Sequence, residues 1–344
     1  MYHLRVSKIA YPGILFRKMT SMHYVFVCSL LTTTILSCTG ERPQPTHQPS
    51  TKADTTVTVS TVPSFSGDRA FSHLLKQVSF GPRNPNSQGH QACLDFLYAE
   101  LKELGDQVKL QPFVHVGYEN ERLNLTNVVA SFNVSSSTRI LLCAHWDTRP
   151  RAEQDANRAR RNEPIIGAND AASGAAVLLE LASILKQHPP SIGVDLAFFD
   201  GEDYGHEGDV ANYLLGSRHF AMTKPQDYLP RFGILLDMIG DAFLEIQKEQ
   251  HSLKYAPDIV DLVWQKARQL GYPQFVDAVG EAVTDDHLPL NEVGIKTIDL
   301  IDFNYPDPTN RYWHTHQDTP DKCSPESLEA VGTVLTHLIY TQHP

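Results

Sequence analysis

Between residues 107 and 199 the rhythm of apolar positions changes twice. Residues 107–116 and 122–132 read as strands, each bounded by polar or glycine-containing turns. "RILLCA" at 139–144 and the run from Ile192 to Phe199 are mostly apolar, broken only by Arg139 and Asp195, the composition of strands buried on both faces. Helical spacing takes over in two places. Residues 87–104 repeat apolar side chains at helical intervals and stop at Gly105. Residues 171–187, opened by "GAND" and rich in Ala and Leu, read as a buried helix. The pattern then predicts a helix near 216–222, a strand at 232–238, a helix at 256–270, a strand at 295–301 and a closing helix at 325–340. Strands alternating with helices imply an α/β protein with a largely parallel sheet covered on both faces.

The start of the chain follows another logic. Arg17 and Lys18 precede an apolar stretch from Tyr24 to Leu36, short for a membrane span but suited to the core of a signal peptide. It ends in Ile35-Leu36-Ser37-Cys38, which resembles a bacterial lipobox. Residues 1–37 are therefore expected to be a signal peptide. Cys38 would be the lipidated first residue of an extracytoplasmic, membrane-anchored protein in the periplasm or outer membrane. Residues 39–64 are mostly Thr, Ser and Pro and cannot bury a core, so 38–64 reads as a flexible tether. From about Phe65 to residue 344 neither a second linker nor a repeat interrupts one catalytic domain.

The formal charge is −11. Arg5, Lys8, Arg17 and Lys18 lie in the leader, which has no acid, and removing these four positive charges from −11 leaves −15. Such acidity argues against nucleic acid or an anionic lipid surface as the main partner. Beyond the tether only Cys93, Cys143 and Cys323 remain, at spacings that give neither a disulfide framework nor a thiolate zinc site.

Charge becomes informative at "FFDGEDYG", residues 198–205. Asp200, Glu202 and Asp203 follow a buried strand with no Lys or Arg beside them in sequence. Clustered, desolvated carboxylates repel, so a cation is expected there. Other candidates also fall at strand ends, where ligands bind in open α/β sheets. His145 and Asp147 follow 139–144, and Asp170 precedes the helix at 171–187. Asp237 ends another strand, "TDDHLP" supplies Asp285, Asp286 and His287, and "RYWHTHQD" supplies His314 and His316. Singly, each has an ordinary explanation, Asp170 as a helix cap and Glu202–Asp203 as a solvated turn. Together, carboxylate oxygens and imidazole nitrogens form the donor set that Zn²⁺ accepts without thiolates. Asp147 is expected to orient His145, and Glu202 to transfer protons beside the metal.

The motifs "AHWDTRP", "GANDAASGAAVLLELA", "FFDGEDYG", "GSRHF", "LLDMIG", "DDHLP" and "YWHTHQDTPD" stand in the order found in zinc-dependent glutaminyl cyclases. With "FGPRNPNSQGHQACLDFLYAELKELG" upstream, the chain resembles this family over roughly residues 68–340. The family shares its fold with the two-metal zinc aminopeptidases. The resemblance implies a three-layer α/β/α sandwich around a mixed, mostly parallel sheet. It implies one catalytic zinc held by Asp170, Asp203 and His314, Glu202 as the proton-transfer residue, Asp237 and Asp285 as a hydrogen-bonded acidic network, and Trp313 as a wall of the substrate pocket. The implied reaction turns an N-terminal glutamine of a peptide or protein into pyroglutamate with release of ammonia, in a monomeric enzyme.

Three features depart from the animal enzymes. Asp203 stands where many relatives have Glu, Cys143 lacks an evident partner, and no Trp follows Asp203. Asp299 occupies a position where the animal enzymes have His. A two-zinc aminopeptidase is the alternative reading. His145, Asp170, Asp203, Asp237 and His314 fill its five ligand positions, with Asp170 as the bridge and His145 binding metal only if two zincs are present. A non-catalytic domain on the same fold would have lost ligands or the base, and none is lost here.

Overall fold

The structure is a computed structural model that describes residues 62–206 and 208–343. The signal-like segment, Cys38 and all but the last residues of the tether lie outside the described residues. The domain begins with Phe65, which is buried against Gly332.

Two helices, α1 (Gly67–Val78) and α2 (Gln88–Leu104), come first. Each starts at a serine, Ser66 and Ser87, whose side chain accepts a backbone N–H of the first turn. Gly105 ends α2 by donating its amide to Leu101. The long strands β1 (Gln107–Val116) and β2 (Arg122–Phe132) pair antiparallel. β3 (Arg139–His145), α3 (Ala172–Gln187) and β4 (Gly193–Phe199) form the next unit. Then follow α4 (Leu215–Thr223), β5 (Gly233–Asp237), β6 (Ile246–Lys248), α5 (Gln250–Tyr255), α6 (Pro257–Leu270) and β7 (Phe275–Val279). α7 (His287–Glu292), β8 (Thr297–Ile301) and α8 (Pro325–Thr341) complete the chain.

The main sheet has six strands in the order β1-β2-β4-β3-β5-β8. β4, β3, β5 and β8 run parallel, while β1 and β2 add an antiparallel flank. A separate small sheet joins β6 and β7. Burial alternates along the central strands. Ile140, Leu142 and Ala144 of β3 join the larger core beneath α1, α3 and α8, while Leu141 and Cys143 face Phe220 of α4 and Leu290 of α7. This makes three layers, α/β/α, and explains why β3 and β4 lack polar alternation. Gly174 lets α3 approach β5, since a Cβ there would lie 2.2 Å from the Leu236 carbonyl oxygen.

The parallel strands deliver their carboxyl ends to one edge, where β3 stops at His145, β4 at Phe199 and β5 at Asp237. Cys93, Cys143 and Cys323 are free and buried.

Candidate active site

Five segments converge on this edge. His145 and Asp237 are strand-terminal, Asp170 precedes α3, Glu202 and Asp203 follow β4, and His314 lies in the loop before α8. His145 Nε2 is 3.2 Å from Asp170 Oδ1 and 3.2 Å from Asp237 Oδ1. On the other side of Asp170, His314 Nε2 lies 3.7 Å from Asp170 Oδ2 and 3.5 Å from Asp203 Oδ1. Two ligand triads therefore share Asp170: His145–Asp170–Asp237 and Asp170–Asp203–His314. Ligands about 2.0–2.2 Å from one tetrahedral zinc sit roughly 3.3–3.6 Å from each other. The second triad has nearly this spacing without a cation. Asp203 Oδ2 is buried and has no hydrogen-bond partner, as an atom reserved for a metal would be.

Long-range hydrogen bonds fix these positions. Asp318 accepts the amides of Asn169 (2.8 Å) and Asp170 (3.2 Å), and Tyr305 donates its hydroxyl to the same carboxylate. Buried Arg83 donates to the carbonyls of Trp146, Ile166 and Gly167, tying the β3 loop to the segment that carries Asp170. Asp170 is not a helix cap, because the cap position belongs to Ala171 and no side chain satisfies it. The Asp170–Ala171 peptide is cis. Met238, just after Asp237, and His314 itself adopt left-handed backbone, with φ of 48° and 54°. Such non-glycine conformations cost on the order of 1–3 kcal/mol and gather at functional sites.

Two expectations need correction. Asp147 was expected to orient His145, but its carboxylate is 3.6 Å from Nδ1, which has no hydrogen-bond partner. Asp147 instead accepts the amides of Glu202 (3.0 Å) and Asp203 (3.3 Å) and holds the turn that carries both acids. The acids after β4 also have cationic neighbours, supplied from distant sequence. His90 Nε2 is 2.8 Å from Asp200, and Arg149 Nη1 donates to Asp203 Oδ1 at 2.5 Å. Arg149 also donates to Glu153 and to the Tyr213 hydroxyl. Arg149, Tyr213 and Asp318 were not anticipated, because contacts between residues tens of positions apart leave no periodic signal.

Burial and carboxylate crowding set the electrostatics. Burial, partly offset by His145, pushes the Glu202 carboxyl well above the ordinary range, and neighbouring Asp203, Asp285 and Asp286 push the same way. Burial likewise raises Asp237 to about 6 and Asp285 to about 7. Asp203 moves the other way: burial would raise it, but Arg149 together with His314 and His145 holds its carboxyl below the ordinary range. A divalent cation between Asp170, Asp203 and His314 would relieve much of the remaining repulsion.

These groups line a cavity of about 340 Å³. Glu202, Asp237 and Asp285 provide its acids. Met238, Ile301, Phe303 and Trp313 provide apolar walls, and Tyr213 joins the lining. Trp313 stacks on the His314 ring with centroids 3.6 Å apart. The acidic network is wider than Asp237 and Asp285. It takes in Asp286, which accepts the Ser217 hydroxyl, and the fully buried Asp299.

Asp318→Asn should report on this support. An amide keeps the shape but places an NH₂ against one of the two backbone N–H groups. Metal affinity should fall about 10–100-fold, the usual effect of losing a group that orients a ligand. Competition with a zinc chelator measures it.

The fold and site together define a metal-dependent enzyme of the α/β exopeptidase class. The chain belongs to peptidase family M28, which matches residues 127–339. A zinc-dependent exopeptidase from Parabacteroides distasonis is 39% identical, with a TM-score of 0.79, over 82% of this chain and all of that one. Bacteroides thetaiotaomicron glutaminyl cyclase, solved bound to N-acetylhistamine, is 40% identical with a TM-score of 0.78, again over 82% of this chain and all of that one. The mouse glutaminyl-peptide cyclotransferase-like protein is 27% identical over 290 residues, 74% of this chain and 70% of its own length. Within the M28 family the chain thus resembles glutaminyl cyclases of bacteria and animals.

Proposed function

We propose that the protein is a zinc-dependent glutaminyl-peptide cyclotransferase acting on peptides or proteins with N-terminal glutamine. The observation that carries this reading is the asymmetry of the two triads. His145 closes the first with a 3.2 Å hydrogen bond to Asp237. Asp170, Asp203 and His314 remain without hydrogen bonds among themselves, which supports one metal position beside a pocket and a separate base. Similarity to a bacterial glutaminyl cyclase over 82% of this chain and all of that one supports the same assignment.

Asp170, Asp203 and His314 would hold the zinc, which when bound polarises the side-chain amide carbonyl of the substrate. Trp313 and the apolar wall would hold the glutamine so that its α-amine faces the amide carbon, in a near-attack geometry. Glu202 accepts the proton that the α-amine loses as the new C–N bond forms, then gives it to the departing amide nitrogen. The old C–N bond breaks and ammonia leaves. The proton count balances, and no water is consumed. Asp237 and Asp285 lie beside Glu202 in the pocket wall, where they accept hydrogen bonds from the amine.

Convergence of His145, Asp170 and Asp237 also suits a second metal, which supports the aminopeptidase reading. Ammonia release from a glutaminyl peptide, measured beside amino-acid release from Leu- and Ala-initiated peptides, separates the two. One tight zinc per chain accords with the cyclase, and two equally tight zincs with the aminopeptidase.

We further propose that the enzyme works outside the cytoplasm on a lipid anchor at Cys38. Cys38→Ser should block lipid attachment and move the protein from the membrane to the soluble fraction. Unchanged fractionation on an immunoblot would refute the anchor.

A further inference from the structure

The face of the sheet that carries α4 is only partly covered. Pairing of β1, β2 and β4 sets Gln107, Ser131 and Asp195 in one row and Lys109, Val129 and Ala197 in the next, with Gln111 beyond them. Side chains two residues apart on a strand share a face, so these rows project together. Further along β1, Phe113 stacks on His219 of α4, with ring centroids 4.4 Å apart. Beyond that contact α4 ends at Thr223, and the chain turns through Lys224 to Tyr228, whose amide donates to the Pro225 carbonyl. A cavity of about 240 Å³ remains between this turn and the strands. It shares no lining residue with the reaction cavity, because Asp195 lies near the start of β4 whereas Glu202 and Asp203 follow its end.

The carboxylate in this lining is already used. Asp195 is buried and accepts Arg139 Nε (2.8 Å), Arg139 Nη2 (2.7 Å), the Ser131 hydroxyl (2.5 Å) and the Tyr228 hydroxyl (3.0 Å). Arg139 cancels its charge. Gln111 Oε1 accepts the Asn127 side-chain amide at 3.2 Å. What remains is mostly donors. Among the described residues, Gln111 Nε2 and Lys109 Nζ donate to nothing, and Lys224 Nζ gives one proton to the Tyr228 carbonyl at 3.2 Å. Neither lysine pairs with a carboxylate among the described residues. Arg139, Lys109 and Lys224 against Asp195 leave two positive charges in excess, in a chain of net charge −11. Phe220, Val129 and Val134 give the cavity an apolar side, and Val134 is 54% exposed.

We propose that this cavity is a second ligand site, for a carboxylate carried on a small apolar body. Lys109, Lys224 and Gln111 Nε2 would take the carboxylate, and Phe220, Val129 and Val134 the apolar body. On an acidic molecule two unpaired lysines at one cavity draw an anion by charge. Lysines act as point charges, which suits a single carboxylate approached from two elements. Drug-sized ligands fill pockets of roughly 300–1,000 Å³, so this cavity suits a body about as large as one aromatic side chain. The site goes beyond the cyclase reading and does not depend on it. Its ligand chemistry is offered by a free acid and by the C-terminus of a peptide ending in an apolar residue.

The test titrates the zinc-loaded protein with 3-phenylpropionate, with its neutral amide 3-phenylpropanamide and with N-acetyl-alanyl-phenylalanine, followed by ligand-observed NMR. A carboxylate probe should bind with a Kd of about 5 mM or below, as a small ligand of modest efficiency does. The neutral amide should bind at least about fivefold more weakly. In the double variant Lys109→Gln/Lys224→Gln the Kd of the carboxylate should rise at least about fivefold, since one exposed ion pair is worth up to about fivefold. Zinc content and melting temperature should stay at wild-type values. The tighter of the free acid and the peptide identifies the source. No binding by either carboxylate, equal binding of the amide, or a Kd that the lysine pair leaves unchanged overturns the proposal, the last because it places the acid elsewhere, the metal site included. If the double variant fails to fold, backbone chemical shifts of the wild type decide. Changes centred on Lys109 and Lys224 support the site, and changes centred on Asp170, Asp203 and His314 refute it.

Discussion

Glu202→Gln should keep its zinc and lose about 10²–10⁴ in turnover, the usual range for removing a positioned general base. The expectation rests on how completely the residue is fixed. Its amide donates to Asp147, and its carbonyl accepts the Leu214 amide at 3.0 Å. Its side chain is only 12% exposed and faces the pocket. Glutamine fills the same volume, so substrate binding and the metal triad should survive, and the loss should fall on kcat rather than KM. Wild-type turnover in this variant would remove Glu202 from the mechanism. Coincident loss of zinc would instead make it a ligand.

Asp203→Asn should give the complementary result, with metal binding failing first. Asp203 is buried between Arg149 and His314 and contributes a full negative charge to the donor set. The amide is neutral, and its NH₂ can also turn toward the metal or toward the Arg149 guanidinium, so orientation is lost with charge. Zinc affinity should fall by more than the roughly 10–100-fold typical of groups that only orient a ligand. Activity should return in part when excess zinc is supplied. Tight zinc in this variant, by chelator competition, would exclude Asp203 as a ligand.

The two variants probe neighbouring residues whose roles were separable in the sequence, and the reason is physical. Strands β1 and β2 have the bounds read from their patterns and β4 starts one residue later than its run, because long alternating or mostly apolar runs admit few alternatives. α2 and α3 differ from expectation by one residue at the start. The missed elements are α1, whose apolar stripe is interrupted by polar residues, and the short α5, α7, β6 and β7, which fall below the length at which periodicity speaks. At the site, chemistry at strand ends was legible, since a parallel sheet gathers those ends on one edge. The support was not. The bonds from Asp318 to Asn169, Arg149 to Asp203 and Arg83 to Gly167 join residues 149, 54 and 84 positions apart. Asp147 was read with its sequence neighbour His145, because two residues apart on a strand share a side. The chain leaves β3 at His145, however, and Asp147 turns to the Glu202–Asp203 amides.

The central claim is that this pocket joins an α-amine to its own side-chain amide rather than delivering water to a peptide bond. Intact-mass measurement of a Gln-initiated peptide after incubation with the zinc-loaded protein tests it most directly. The account predicts a product lighter by one ammonia with every residue retained. A product shortened by its first residue, with no cyclised species, would contradict it.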